Sequence, residues 1–287
     1  MPLQGYKMIR EATLDDTMRI VKCHLSDVDI PEYPRLSVFD RYKYGGPWMS
    51  VETCSIHLNY MFLHNQPVLV AEIGNEVVGE LELLIEEEMF LKKLRKVCNA
   101  DVLIVHRGFR GKGIGKALMQ KAEEFAKAKG CDVILVTPED RSYGFYKRLG
   151  YKKLLENYVV KISTGNFDPE DAKLCSFSWE KVKRLELVAG RFQSSYHHWF
   201  SSFVDLIADI DKILEAGRLG KSYYVIRELP NGFGGIYVWG HEKDIPGILG
   251  RAKKYFSEVI TAISRDLIEE LEPEILRRNI ILGKWIS

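Results

Sequence analysis

The 287-residue sequence predicts a mixed α/β protein in two parts. The first is an α/β unit with a mixed sheet over residues 1–162, and the second is a smaller α+β unit over 175–287. Three observations carry this. Along the first part, apolar residues switch between the two-residue period of strands and the three-to-four-residue period of helices. A glycine-rich, basic stretch, "VHRGFRGKGIGKAL" (105–118), stands between a strand pattern and a helix pattern. Finally, "STGNFDPEDAKL" (163–174) is polar with Gly and Pro, and reads as a linker after which the pattern restarts.

The elements follow in order. "KMIREA" is a short strand, and Thr13 with Asp16 forms a capping pair that opens a helix over "LDDTMRIVKCHL". Residues 28–50, with "PEYPRL" and "YKYGGPW", read as irregular, and helical spacing resumes in "MSVETCSIHLNYMFLHN". "PVLVAEIGNEVVGELELLIEE" is two strands joined at Gly74-Asn75, a strong hairpin signal. "NADVLIV" is a strand. "KALMQKAEEFAKAKG" is a helix with Ala117, Leu118, Ala122, Phe125 and Ala126 on one face and Gly130 as its stop. "CDVILVT" is a buried strand, "RSYGFYKRLG" a short helix ending at Gly150, and "YKKLLENYVVKI" a strand.

In the second part "WEKVKRLELVAG" reads as strand, "HHWFSSFVDLIADIDKILEAG" as helix and "SYYVIRELPNGFGGIYVWG" as hairpin. "IPGILGRAKKYFSEVITAISRDLIEELEP" reads as one long helix and "NIILGKWI" as a last strand. The order is roughly β-α-β-β-α-β. No internal sequence repeat is visible.

Composition narrows the class. A hydrophobic content of 46% with 28% charged residues suits a soluble globular chain with a core. A net charge of +1 gives no whole-molecule attraction to nucleic acid or anionic membrane, so neither is an expected partner. The amino terminus lacks an apolar leader core, and no apolar run approaches the roughly 20 residues of a membrane span. The five cysteines are scattered without CxxC spacing, which argues against a zinc ribbon and for a reducing compartment. The expectation is a cytoplasmic protein with no metal.

The glycine-rich stretch is tested against known phosphate loops. A Walker A loop needs Ser/Thr after Gly115-Lys116, where Ala117 stands, and Gly where Arg110 stands. A dinucleotide fingerprint starting at Gly111 or Gly113 meets Lys116 or Leu118 at its last glycine. Arg-x-x-Gly-x-Gly fits at Arg110, Gly113 and Gly115. Glycines let the backbone approach a pyrophosphate, and unpaired amides at a helix start donate to its oxygens. Arg107, Arg110, Lys112, Lys116 and Lys121 add positive charge nearby.

Those residues, with "FYKRLGY" (145–151), the hairpin "GNEVVGELEL" and the opening "IREATLDD", resemble the GNAT superfamily of N-acetyltransferases over residues 6–162. The resemblance implies acetyl-CoA as acyl donor. It places the pyrophosphate on the backbone of Arg110, Gly111, Lys112, Gly113, Ile114, Gly115 and Lys116, and the pantetheine arm along Ile104 and Val105. Ser142 stands where many relatives have a pantetheine-binding Asn. Tyr146 occupies the position of the acid that protonates the leaving thiolate. A backbone N–H near Val105 would hold the oxyanion.

An amine with a pKa of about 10 must lose a proton before attack. Asp101 and Glu82 are the preferred bases among Asp101, Glu80, Glu82, Glu86 and Glu139. His106 reads as a loop residue. The adjacent His197 and His198 make a poor metal pair, and Cys131 has no His partner nearby in sequence. The family varies its acceptor pocket in the region of residues 28–50, so Tyr33, Tyr42, Tyr44 and Trp48 are candidates to line one. The expected activity is N-acetylation of a primary amine of a small molecule, peptide or protein. Transfer of another acyl group, and a non-catalytic acyl-CoA sensor with the second domain as output, stay open. The aromatic cluster "SSYHHWFSSF", with Trp199, and the hairpin carrying Trp239 read as core, or as a cover for the acceptor, or as a homodimer surface.

Overall fold

The computed structural model describes residues 7–207, 212–229 and 231–286. The first six residues, on which part of the leader expectation rests, and 208–211 of the expected second-domain helix lie outside the described residues. The elements are β1 (Lys7–Glu11), α1 (Thr17–Leu25), α2 (Val38–Gly45), α3 (Val51–Leu63), β2 (Val68–Ile73), β3 (Glu76–Phe90), β4 (Lys93–Val105), α4 (Ile114–Ala128), β5 (Val133–Val136), α5 (Asp140–Arg148) and β6 (Lys152–Ser163). There follow β7 (Lys173–Leu174), α6 (Trp179–Val182), β8 (Leu187–Ala189), α7 (Ser195–Phe203), β9 (Lys212–Leu219), β10 (Ser222–Glu228), β11 (Gly234–Trp239), α8 (Ile245–Ala252), β12 (Glu258–Ile263), α9 (Arg265–Leu271) and β13 (Glu274–Trp285). No helix among the described residues is long and apolar enough to cross a membrane.

The chain divides into two compact units, the first comprising residues up to Ile85 with Cys98–Ile134 and Ile286, the second Glu86–Val97 with Leu135–Trp285. This boundary differs from the one expected at 163–174, and β6 belongs to the second unit. The polar stretch is no free linker. It ends in β7, which pairs with β9, and a Cβ at Gly250 of α8 would collide with the Asp168 carbonyl at 2.2 Å. Its polarity reflects a strand edge and close backbone packing.

In the first unit the sheet order is β1-β2-β3-β4-β5. β2 and β3 turn at Gly74, whose φ of +62° meets the hairpin's demand, and pair antiparallel with Leu69 opposite Leu81. A Cβ at Gly79 would lie 3.0 Å from Ile114 and Leu118, so α4 covers that face of β3. Because side chains alternate along a strand, Glu80 and Glu82 project to the other face, toward α1 and α3. Across the two faces, Ile20, Leu58, Met61, Leu69, Leu81, Leu83, Leu118 and Met119 are fully buried.

α1 is anchored at its start by the expected pair. The Thr13 N–H donates to Asp16 Oδ2 at 2.9 Å, and Arg10 forks onto the same carboxylate at 2.7 and 2.8 Å. The segment 28–50, read as irregular, contains α2. Ser37 caps it by accepting the Asp40 N–H at 3.1 Å, a signal masked by the surrounding Pro and Gly.

In the second unit the strand order is β13-β6-β12-β8-β11-β10-β9-β7. Two helix expectations fail here. The helix expected over 197–217 stops at Phe203, and Lys212–Leu219 pairs with β10 as a strand. The single long helix expected over 245–273 is α8, β12 and α9. Val259, Ile260, Thr261 and Ile263 are β-branched, and β12 lies along β6 from Glu258↔Ser163 to Ile263↔Tyr158. An apolar run of that length satisfies both periods, and the pairing decides.

The resulting order is not β-α-β-β-α-β. It is β8, α7, then β9-β10-β11-α8-β12-α9-β13, and from β9 onward it repeats the order β2-β3-β4-α4-β5-α5-β6. The repeat is one of element order, without a sequence repeat. In the second copy β11 and β12 run parallel but pair only at Gly234–Gly235 with Val259–Ile260. Beyond that point β8 pairs with both, through Ala189 and Leu187, and fills the space between them.

Candidate active site

The turn after β4 is set by backbone conformation. His106 opens a single 3-10 turn over Arg107–Phe109, and its Nδ1 accepts the Gly108 N–H at 3.2 Å. Gly111 and Gly113 then take φ of +75° and +76°, which a side chain disfavours. A Cβ at either meets nothing within 4 Å, so the conformation rather than crowding requires glycine, and the space beside the loop is open. Gly113 precedes α4 without a side-chain cap, and the first turn contains no acid. The N–H groups of Ile114, Gly115 and Lys116 have no carbonyl partner within the helix and carry its positive pole. Amides so presented bind an anion.

The basic side chains mostly shape this loop. Arg110 Nε donates to the Val105 carbonyl at 3.0 Å, and its guanidinium pairs with Asp27. Arg107 forks onto Asp29 at 2.6 and 2.9 Å, and its own N–H donates to Ser26 Oγ at 2.9 Å. Lys112 Nζ donates to the Gly108 carbonyl at 3.1 Å. Lys116 is exposed on the first turn of α4.

β4 changes character as it approaches the loop. Val97, Cys98, Asn99 and Ala100 are buried, whereas residues 101–105 are half-buried without the alternation of a covered strand. Asp101, Ile104 and Val105 lie in that stretch. Gly79 allows the close approach of β3, since its Cβ would lie 3.2 Å from the Ile104 carbonyl.

Tyr146 and Ser142 lie on α5, in the second unit. Tyr146 is 8% exposed, with its ring edge-on to Phe145 at 5.0 Å and Tyr151 at 5.9 Å. Burial, then the negative charge of Glu139, pushes its phenol up to about 12. Ser142 Oγ donates to the Glu139 carbonyl at 2.9 Å, which fixes the hydroxyl with its lone pairs free to accept.

A second set of residues assembles on the α1/α3 face of β3. Glu80 and Glu82 are fully buried. His24 Nε2 lies 2.5 Å from Glu80 Oε2, and His57 Nε2 lies 3.0 Å from both oxygens of Glu82. Trp48 Nε1 donates to Glu82 Oε1 at 2.6 Å. The half-buried indole stacks on His24 at 5.3 Å and meets His57 edge-on at 5.4 Å. Burial drives the Glu80 carboxyl up, opposed by His24. The even spacing of the glutamates is visible in the sequence, but their histidine partners are not.

The model of the Acetyltransferase (GNAT) family matches residues 32–151. Residues 32–151 are thus similar to a GNAT acetyltransferase domain. Glucosamine 6-phosphate N-acetyltransferase of Trypanosoma brucei brucei is 32% identical over 76 residues, covering 26% of this chain and 51% of the relative. An uncharacterized N-acetyltransferase of Chlorobaculum tepidum is 30% identical over 95 residues, covering 33% of this chain and 56% of the relative. The chain thus spans about half the length of the curated relatives it matches.

The fold likeness reaches further. The crystal structure of a GCN5-related N-acetyltransferase from Anabaena variabilis superposes with a TM-score of 0.69 at 12% identity, over 98% of this chain and 73% of that one. A putative acetyltransferase from Pyrococcus horikoshii gives 0.62 at 15%, over 100% and 92%. At such identity the likeness shows the fold alone, and it takes in the residues beyond the GNAT domain as well.

Tyr33, expected to line an acceptor pocket, has other work in this chain, whereas Trp239 takes the core role expected of its hairpin. Tyr33 is buried, its hydroxyl donating to the Met49 carbonyl, while Tyr44 is exposed. Trp239 is fully buried, with Nε1 donating to Ser195 Oγ at 2.8 Å, and Trp199 Nε1 donates to the Phe177 carbonyl at 3.0 Å. His198 is buried as well, and its Nε2 accepts the N–H groups of Phe192 and Gln193 at 3.0 and 3.2 Å.

Proposed function

We propose that the chain transfers the acetyl group of acetyl-CoA to a primary amine by direct attack, in the cytoplasm. The observation that supports this most is the start of α4. Two left-handed glycines, an acid-free first turn and open space beside them suit a pyrophosphate held by the backbone from Arg110 to Lys116. Arg110 serves it by holding the loop to Val105 rather than by charge alone. The half-buried end of β4 at Ile104 and Val105 offers backbone groups to the pantetheine arm and the oxyanion.

In this reading the amine nitrogen forms a bond to the thioester carbonyl carbon, the tetrahedral intermediate collapses, and the C–S bond breaks. Tyr146 gives the departing thiolate its proton. A phenol at about 12 stays protonated across the neutral range and keeps that proton to give. Ser142 accepts a hydrogen bond from the arm. Asp101, on the half-buried part of β4, is the candidate the sequence offers for relaying the amine proton through water. Glu82 already accepts from Trp48 and lies against His57, so a base role for it needs one of those bonds to give way.

The test is release of free thiol from acetyl-CoA, propionyl-CoA and succinyl-CoA over a panel of amines. The panel includes amino sugars such as glucosamine 6-phosphate, lysine peptides and polyamines. Thiol release with one amine class, fastest for acetyl-CoA, is expected. Tight acetyl-CoA binding with no release across the panel would replace this reading with an acyl-CoA sensor.

A further inference from the structure

We propose that His24 is the proton acceptor for the attacking amine and that Glu80 is its positioning residue. This rests on the acetyltransferase reading and assigns its base to a pair from α1 and β3 rather than to Glu82 or Asp101.

The two buried carboxylates of β3 look equivalent in sequence and differ in their partners. Both oxygens of Glu82 face His57, and Oε1 also accepts the Trp48 indole, so this group is held as an anchor for Trp48. Glu80 meets His24 through Oε2 alone, and its Oε1 is buried without a hydrogen-bond partner among the described residues. A buried carboxylate that keeps one oxygen unsatisfied is costly, and such a group calls for a functional account. With Glu80 ionised, Nε2 of His24 carries the proton and Nδ1 keeps the lone pair that accepts another. The imidazolium so formed sits in the last turn of α1, where the helix carbonyls favour a cation, and against Glu80.

The pair lies beside the segment where the donor's reactive end is proposed. His24 stands just before Ser26, whose Oγ takes the Arg107 N–H at 2.9 Å. Glu80 stands just after Val78, whose carbonyl takes the His106 N–H at 3.0 Å. Asp27 and Asp29 tie the same stretch to Arg110 and Arg107. His24 is 7% exposed, and the half-buried Trp48 stacked on its ring separates it from bulk water.

The protons balance. His24 takes one proton from the ammonium, and the neutral nitrogen attacks the carbonyl carbon. On collapse of the intermediate, Tyr146 protonates the thiolate and the nitrogen's second proton returns to the phenol. His24 then releases its proton to water. Protons lost from the amine equal those on the thiol and in solvent.

The groups facing His24 are Glu80, at 2.5 Å, and the Trp48 indole stacked on its ring, while Glu82 and His57 act on Glu80, and Glu80 in turn bears on Cys54 and Cys23. The full-length chain, as wild type and as His24→Asn, Glu80→Gln and His57→Asn, is assayed for thiol release against pH with the preferred amine, and for acetyl-CoA affinity. His24→Asn should lose about a hundredfold in kcat with acetyl-CoA affinity unchanged, and its acidic limb should vanish. Glu80→Gln keeps a hydrogen-bond acceptor but drops the charge that favours imidazolium, so its acidic limb should move to lower pH. His57→Asn should leave the limb where it is, which a merely structural role of the cluster would not predict.

An acidic limb unchanged in His24→Asn overturns the assignment. If that variant fails to bind acetyl-CoA through misfolding, an unmoved limb in Glu80→Gln overturns it instead. A wild type that binds acetyl-CoA but releases no thiol with any amine overturns the acetyltransferase reading itself, and this one with it.

Discussion

At Tyr146 the burial that raises the phenol to about 12 also fixes what pH can do to it. A group that works as an acid is lost only when pH rises past its own pKa, so from pH 7 to 10 Tyr146 contributes no basic limb. Tyr146→Phe should lower kcat about a hundredfold at every pH in that window, with acetyl-CoA affinity changed less than about threefold. Isothermal titration beside a thiol-release profile measures both. The sequence can nominate Tyr146 because its motif is local, lying within "FYKRLGY". It cannot nominate the His24–Glu80 pair, since 56 positions separate its members and only the packing of α1 on β3 joins them.

Among the elements, the starts of α4 and α1 make contrasting predictions. Gly113 has a left-handed φ of +76°, a conformation Asp tolerates better than most residues. Gly113→Asp should therefore fold, with a carboxylate set against the amides proposed to hold pyrophosphate. Acetyl-CoA affinity should fall at least about tenfold, roughly 1.4 kcal/mol, with a thermal midpoint shift of only a few degrees. For α1, burial pushes Asp16 up, but Arg10, the Thr13 N–H and Arg19 outweigh it and hold the carboxyl at about 2, below the ordinary 3.8. A depressed carboxyl stabilises the fold above its unfolded pKa and loses that contribution as pH falls from about 4 to about 2. Asp16→Asn should cost about 2 kcal/mol in urea unfolding at pH 7 and flatten the stability change between those pH values.

For the whole molecule, the strand-helix-strand order occurs as β4-α4-β5 and again as β11-α8-β12, and the glycine loop stands in the first. In the second copy β8 lies between β11 and β12 and pairs with both. The turn after β11, "GHEKD" (240–244), has acids where the first has arginines, and its Asp244 is taken by Ser222 Oγ at 2.6 Å. Acetyl-CoA should therefore bind with a stoichiometry of one per chain in isothermal titration. A value of two would mean that β8 yields its place.

The sequence by itself determined the elements whose signals are short in range. These are the Gly74-Asn75 hairpin, the glycines before α4, Gly130 and Gly150 at helix ends, and the Tyr146 motif, each written in a few neighbouring residues whose φ angles or caps permit one local answer. Tertiary structure decided the rest. "SEVITAISR" has apolar spacing that suits helix and strand alike, and it became β12 because β6 offers it a partner along its whole length. The 163–174 stretch is as polar as a linker and is packed because β9 and α8 lie against it. The β3 turn at Leu91-Lys92 has φ of +51° and +59° without glycine or asparagine to announce it. Burial, pairing and charge partnership are properties of distant residues brought together, so no local pattern could state them in advance.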